Sequence, residues 1–383
     1  TDLYRKGSPV IRNFKRTAAI FGVVAVSSAA LVACGDSDNG TDADTTTTAA
    51  DGAEGTTDGL SGTAGQLVAE GASSQQNAMN YFGQKYSEAV SGANLAYNAT
   101  GSGAGRTNFV GGQVMFAGSD SPLSDDQVES AAERCGGNDA WHLPFVIGPV
   151  AIAYNLEGVE GLNLHVDTVA KIFKGEITKW NDEEIAAENE GVELPDTDIS
   201  VVYRSDESGT SDNFQKFLGN ATEIWDTEGQ QFPSAVGEGA NGSNGVASQV
   251  TAIDGGITYV ESGFAEQQGL GIANLDFGSG PVELNTESVG VALDNLTFAS
   301  EGHDMVVDTE ALFASDTEGS YPLILTTYEI VCSAGYDETT SAMVKDFLTV
   351  ALNSQDDGLA ELGYIPVTGA HHDRLVEAVE AIQ

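Results

Sequence analysis

Between residues 199 and 203 the chain reads Ile-Ser-Val-Val-Tyr, an alternating and β-branched run that predicts a strand. Directly downstream, Asn213-Phe214-Gln215-Lys216-Phe217-Leu218 spaces its apolar residues as a helix does. The same switch of period recurs nearer the N-terminus: Ala78, Tyr81, Phe82 and Tyr86 mark a helical face, and Asn94 to Ala99 and Gln113 to Phe116 read as strands. Two longer apolar stretches, Leu143 to Tyr154 and Tyr321 to Val331, predict buried strands. No internal repeat of fixed period is present.

The turns between these elements carry the candidate chemistry. Arg204 to Thr210, RSDESGT, joins the predicted strand 199–203 to the predicted helix. The first N–H groups of a helix lack internal partners and sit at the positive end of its dipole, so a small anion is held there by backbone alone. Ser208 and Thr210 add hydroxyls, Gly209 permits close approach of the backbone, and Arg204 offers a planar fork for two oxygens. Gly71-Ala72-Ser73-Ser74, before the first helix, and Thr100-Gly101-Ser102-Gly103-Ala104-Gly105, after a strand, are further small-residue turns rich in donors. Ala117-Gly118-Ser119-Asp120-Ser121-Pro122-Leu123-Ser124 is a fourth, and its carboxylate suits an anion only if that anion carries a proton.

GSDSPLS around Asp120, RSDESGT, IFKGEITKWND from Ile172 to Asp182, and GGITYVE from Gly255 to Glu261 together resemble the phosphate-binding protein of the bacterial phosphate-specific ABC importer. The resemblance runs from about Gly65 to the C-terminus in the family's motif order. It implies an α/β, two-lobed periplasmic-binding-protein-like fold with hinge strands and a ligand cleft between the lobes. It also implies inorganic phosphate as ligand, held by Ser73, Ser74, Ser102, Asp120, Arg204, Ser208, Gly209 and Thr210, with the membrane permease subunits as partners. At the first turn the family's Ala-Thr-Phe is replaced by Ala72-Ser73-Ser74, which keeps one hydroxyl and both N–H groups but loses the aromatic ring. Phosphate near neutral pH always has an O–H to donate and sulfate has none, so a buried Asp120 would accept from the first and repel the second. A desolvated, unpaired charge costs several kcal/mol, enough for roughly a thousandfold discrimination. Asp206 is expected to orient Arg204 through a second salt bridge; Arg106 either adds to the field at the second loop or pairs with a surface acid, the second being favoured.

The N-terminal part gives the expected location. Arg12, Lys15 and Arg16 precede an apolar run from Thr17 to Ala30, which is too short to span a bilayer and has the length of a signal-peptide core. Leu31-Val32-Ala33-Cys34-Gly35 then resembles a lipoprotein cleavage box, which makes residues 1–33 the signal peptide and Cys34 the lipidated residue. The expectation is a protein anchored by lipid on the extracytoplasmic face of the cell membrane. From Gly35 to about Gly62 the chain is Thr, Asp, Ala, Gly and Ser with seven acids and no bases or aromatics, as expected of a disordered tether, so 34–64 is read as lipidated cysteine plus linker. The remaining stretch of about 320 residues is large for one core. Lobe one is placed at 65–148 plus 325–383 and lobe two at 149–324, with the two long apolar stretches crossing between them. Cys135 and Cys332 then fall in one lobe of an exported protein and are expected to form a disulfide.

Charge excludes one class of partner. The chain has 15 bases against 58 acids, a formal net charge of −43, and cleavage before Cys34 leaves 10 against 57, or −47. Nucleic acid is therefore not a partner. Surface charge is screened within about 8 to 10 Å in physiological salt, whereas loop amides touch the ligand, so an acidic anion binder involves no contradiction. No Cys and His spacing suits a metal, and the adjacent His371 and His372 are expected to be exposed. Gly101 to Thr107 lacks the lysine and leading glycine of a nucleotide-binding loop, and Ser208 lacks the frame and the neighbouring histidine of a hydrolase nucleophile. The expectation is a monomeric binding protein with no cofactor and no catalytic residue. Its rivals are a binder of another oxyanion and a secreted phosphatase-like protein.

Overall fold

The computed structural model describes residues 59–294, 296–314 and 317–383; the leader, Cys34 and the linker as far as residue 58 lie outside them. Strands form at Gly65–Gly71 (β1), Ala93–Asn98 (β2), Phe116–Ser119 (β3), Ala140–Asn155 (β4), Asn163–His165 (β5), Ser200–Arg204 (β6), Glu238–Ala240 (β7), Gly256–Glu261 (β8), Gly271–Ile272 (β9), Asn274–Asp276 (β10), Pro281–Val282 (β11) and Ile324–Cys332 (β12). Nine of them make one sheet in the order β2-β1-β3-β12-β4-β8-β6-β7, with β9 also paired to β4, and β11-β10-β5 make a small second sheet.

The long apolar stretches are what give the large sheet its continuity. Residues 140–149 of β4 pair antiparallel with β12, and residues 150–155 of the same strand pair antiparallel with β8. One half of the sheet, with β1 parallel to β2 and β3, is thereby joined through a single strand to the other half, in which β6 runs parallel to β7 and β8. Every residue of β12 is buried, and from His142 to Tyr154 so is every residue of β4, which explains why these runs lack the alternation of a half-exposed strand. The described chain has the mixed α/β character expected of it.

Helices follow the strands on each half. Gln76–Ala89 turns Ala78, Met79, Phe82 and Tyr86 inward and packs on the helix Glu338–Asn353, where Tyr86 meets Phe347 edge-on at 5.6 Å. Behind the helix Gly209–Ala221 lies an aromatic stack: Phe214 on Tyr259 at 4.6 Å, Tyr259 on Phe232 at 5.0 Å, and Phe173 against Phe214 at 5.1 Å. Such pairs add about 0.5–1.5 kcal/mol each beyond their buried area, and here they fix the axis of that helix relative to β8.

Some local expectations are corrected. The strand expected at Gln113 to Phe116 occupies Phe116–Ser119 instead, because the preceding helix Ser102–Val110 is closed by Gly112 and Gln113, whose N–H groups return to the Phe109 and Asn108 carbonyls. The donor-rich turn after β2 is accordingly shorter than Thr100 to Gly105, since Ser102 already belongs to that helix. His371 and His372 are half-buried rather than exposed: His371 lies 3.0 Å from the Pro144 carbonyl and edge-on to Phe298, and burial pushes its imidazole down to about 4. Ser61 and Gly62, at the end of the expected tether, are held by the buried carboxylate of Asp346, which accepts from both backbone N–H groups and from the Ser61 hydroxyl at 2.7–3.0 Å.

Cys135 and Cys332 form a disulfide across a sequence separation of 197, with Cα atoms 5.4 Å apart. It ties the end of the helix Asp125–Arg134 to the end of β12. Replacing both cysteines by serine is expected to lower the unfolding free energy by about 2–4 kcal/mol, read as a lower urea midpoint with a steeper slope, because the uncrosslinked chain exposes more surface when unfolded.

Candidate functional site

Local sequence dictates how each loop meets the next. β6 ends at Arg204, and the helix Gly209–Ala221 starts behind an N-cap, Ser208, whose hydroxyl oxygen accepts from Ser211 N at 3.1 Å. The N–H groups of Gly209 and Thr210 precede the first intrahelical acceptor and stay available to a ligand. Only glycine fits at 209: a Cβ there would stand 2.4 Å from Asp120 Cβ and 2.6 Å from Ser102 Oγ. On the other side Gly71, at φ +147°, lies against the Gly118 carbonyl, which brings the turn after β1 beside the turn after β3. Two helix starts, at Ser102 and Gly209, thus abut a single carboxylate.

That carboxylate, Asp120, is half-buried. Its Oδ1 accepts from Ser74 Oγ at 2.6 Å and from Thr327 Oγ1 at 2.7 Å, and its Oδ2 from Ser102 Oγ at 3.1 Å. Burial pushes its carboxyl up to about 6; the Ser74 hydrogen bond opposes the rise and the charge of Glu261 adds to it. Tyr364 holds the same turn from beneath, its hydroxyl donating to the Ser74 carbonyl at 2.6 Å.

Arg204 is 2% exposed. Its Nε and Nη2 donate to the two oxygens of Asp206 at 2.8 and 2.5 Å, a bidentate pair, while Nη1 reaches Thr210 Oγ1 at 3.3 Å and Ser243 Oγ at 3.2 Å. Burial works against ionisation of Asp206, but the hydrogen bonds and charge of Arg204 outweigh it and hold the carboxyl below its usual range. Asp206 also accepts from Gly242 N at 3.1 Å, so the ion pair carries the start of the helix Gly242–Thr251 with it. There Ser243 N donates to Ser73 Oγ at 2.9 Å, which connects the turn after β1 to the arginine.

Ser73, Ser74, Ser102, Asp120, Arg204, Asp206, Gly209 and Thr210 are therefore linked by short contacts into one cluster, with Ser208 capping the helix that enters it. The Thr210 hydroxyl donates to Glu261 Oε1 at 2.6 Å, so what Thr210 has free is its backbone N–H. Arg106 is not in a surface ion pair: half-buried, it donates to the Pro122 carbonyl at 2.6 Å and to Gln230 Oε1 at 2.7 Å. Three members were missed in the sequence. Ser243 stands in Asn241-Gly242-Ser243-Asn244-Gly245, a small-residue turn before a helix of the same kind as those singled out, and could have been found on that ground. Glu261 ends the GGITYVE motif, and Thr327 sits inside an all-buried strand where nothing in the sequence separates it from its neighbour Thr326. Among the described residues no group of His, Cys, Asp and Glu is arranged to hold a metal ion.

Helix starts and a buried arginine converging beside a sheet whose halves share one long strand define a two-lobed, periplasmic-binding-protein-like molecule. The PBP superfamily domain description matches residues 56–355. The phosphate-binding protein PstS2 of Mycobacterium bovis is 43% identical over 376 residues, covering 96% of this chain and 99% of that protein. The phosphate-binding protein PstS 3 of Mycobacterium tuberculosis is 42% identical over 371 residues, with 96% and 99% covered. Among solved structures, a high-affinity periplasmic phosphate-binding protein crystallised with phosphate superposes with a TM-score of 0.65 at 23% identity, covering 82% of this chain and 93% of that one. The phosphate-binding protein of Stenotrophomonas maltophilia gives 0.60 at 23% identity, with 81% and 92% covered. The chain belongs to the periplasmic-binding-protein superfamily and, within it, to the PstS phosphate-binding proteins.

Asp120 makes stability depend on pH in a definite direction. With its carboxyl raised to about 6 in the fold and near 3.9 in an unfolded chain, the folded state holds the proton more tightly. The resulting stability is fully present below about pH 4 and lost as pH rises through about 6. Thermal melts across this window should show wild type losing on the order of 2 kcal/mol relative to Asp120→Asn, which keeps the uncharged form throughout.

Proposed function

We propose that this protein captures inorganic phosphate outside the cytoplasm and delivers it to the membrane subunits of an ABC importer. The observation that carries the reading is Asp120, an acceptor-only carboxylate set against the two helix starts at Ser102 and Gly209. A site of helix N-termini and one arginine attracts any small oxyanion. A carboxylate among those donors restricts it to an oxyanion that brings its own proton, which admits phosphate and turns away sulfate.

In this reading Ser73, Ser74, Ser102 and Asp120 belong to lobe one (65–148 plus 325–383), and Arg204, Ser208, Gly209 and Thr210 to lobe two (149–324). Contacts between these segments, such as Gly103 N to the Glu207 carbonyl at 3.0 Å, Ser121 Oγ to Asp212 at 2.6 Å and Ser243 N to Ser73 Oγ at 2.9 Å, support a closed arrangement held together across the cleft. A ligand touching both sides favours that arrangement, and release to the permease follows from its opening. The protein does no chemistry on its ligand: Asp120 accepts a hydrogen bond and the serines donate them. Cys34 carries the lipid that tethers a monomer to the extracytoplasmic face of the cell membrane.

Titration calorimetry after removal of bound ligand is the decisive measurement. Wild type should give a strong phosphate signal and none for sulfate, whereas Asp120→Asn should lose most of its preference, a change of roughly a hundredfold or more. Silence with phosphate would overturn the reading. The net charge of −43 should also slow the approach of an anion, so stopped-flow association is expected to quicken as salt rises.

A further inference from the structure

Glu329 is an acid buried behind the cluster with no cation to answer it. It stands on β12 two residues beyond Thr327, the donor to Asp120, and so on the same face of that strand. It is 0% exposed, and its Oε1 is buried without a hydrogen-bond partner among the described residues. The one charge that reaches it is that of Asp120, which repels it. Its Oε2 accepts only from Gln75 Nε2, at 3.4 Å. Gln75 is 0% exposed as well, and its own Oε1 is also without a partner. Gly118, opposite Glu329 in the register of β12 with β3, makes room for that amide, since a Cβ there would stand 2.1 Å from Gln75 Nε2.

An ionised carboxylate has no donor to offer, so it leaves both orphan oxygens unanswered. One proton on Glu329 Oε1 answers both: it donates to Gln75 Oε1 while Gln75 Nε2 donates to Glu329 Oε2, and an acid and an amide close a ring of two hydrogen bonds. Resting on the phosphate reading, we propose that Glu329 and Gln75 form a neutral acid–amide pair that seats the anion-binding turn, with Glu329 a positioning residue whose ionisation weakens phosphate binding.

The placement of Gln75 is what connects the pair to the ligand. It directly follows Ser73 and Ser74 and is the N-cap of the helix Gln76–Ala89. Its Nε2 also donates to Tyr97 Oη at 3.1 Å, and that hydroxyl donates to the Ala72 carbonyl at 2.8 Å. Both ends of the turn from Ala72 to Gln75 are thereby fixed, and between them lie the serines that meet Ser243 and Asp120. A charge on Glu329 would open the ring and set a further negative charge behind Asp120, and each effect opposes an anion.

The groups that face Glu329 are Gly118 of β3 with Asp120 on the turn beyond it, Leu143 of β4, Gln75, and Tyr97 of β2. Burial pushes the Glu329 carboxyl well above the usual carboxylate range and the Tyr97 phenol well above its own. Burial also raises Asp120, to about 6, so its proton is already lost at mildly alkaline pH. A group raised in the fold contributes a stabilisation that is present at low pH and lost as pH rises through its folded value. The alkaline limb of the binding profile therefore reports Glu329.

Two measurements on the full chain decide the matter. At about pH 8, where an ordinary carboxyl is ionised, the infrared spectrum of wild type should carry the carbonyl stretch of a protonated carboxylic acid, and Glu329→Gln should lack it. Calorimetry with inorganic phosphate should there give the two proteins affinities within about threefold, because the new amide closes the same ring. As pH is raised further, the ratio should move in favour of Glu329→Gln by up to about tenfold per unit. Parallel pH profiles overturn the inference and leave the phosphate reading standing. So does a wild-type spectrum without the acid band, which needs no variant and is safe against misfolding of Glu329→Gln. Absence of any phosphate heat in wild type overturns both.

Discussion

A guanidinium buried to 2% exposure is tolerated only if its charge is answered, and in this protein Asp206 answers Arg204 with both carboxylate oxygens. That pair sets the shape of everything around it. With two nitrogens committed, Nη1 is left pointing at Thr210 and Ser243, so the arginine faces the cluster edge-on rather than as a full fork. Asp206 in turn holds Gly242 N, and Tyr259, stacked on Phe214, accepts from Arg204 N at 3.2 Å. Core packing, strand β6 and two helix starts are thereby locked to one ion pair. Removing either partner would leave the other charged and buried, which is far more damaging than losing a surface bridge.

The second constraint is the surplus of negative charge close to the cluster. Asp120, Asp206 and Glu261 lie around one arginine, and Glu329, fully buried two residues beyond Thr327, is pushed well above the usual carboxylate range by its burial. In the proposed reading, attraction comes from oriented N–H groups at contact distance and not from net charge, and selectivity comes from where protons must reside. The same arrangement explains how a chain with 58 acids and 15 bases belongs to a family of anion binders.

Much of this was legible in the sequence for one reason: helix N-termini announce themselves through small and hydroxylated residues, and those at Ser102 and Gly209 do so clearly. The buried strands β4 and β12 were visible as apolar runs, although β12 begins at Ile324, three residues after the run does. What stayed hidden depends on long-range pairing. Thr327 reaches Asp120 because β12 runs antiparallel beside β3, a register that no local pattern encodes. Arg106 was misjudged because its acceptors, the Pro122 carbonyl and Gln230, are brought to it by folding, whereas the abundance of acids made a surface pair the natural guess. Glu261 carried no signal beyond its place at the end of a motif, since a buried acid and an exposed one look alike in sequence.

Asp346 gives the molecule a mechanical property. β1 runs from Gly65 straight to Gly71 and the Ser73 turn, so a pull on the chain ahead of it would travel along the strand into the cluster if nothing intervened. Three hydrogen bonds from Ser61 and Gly62 to a carboxylate in the helix Glu338–Asn353 intercept that load and pass it to a helix packed against the core. A load applied ahead of Ser61 would therefore reach this helix before it reached the ligand-site cluster.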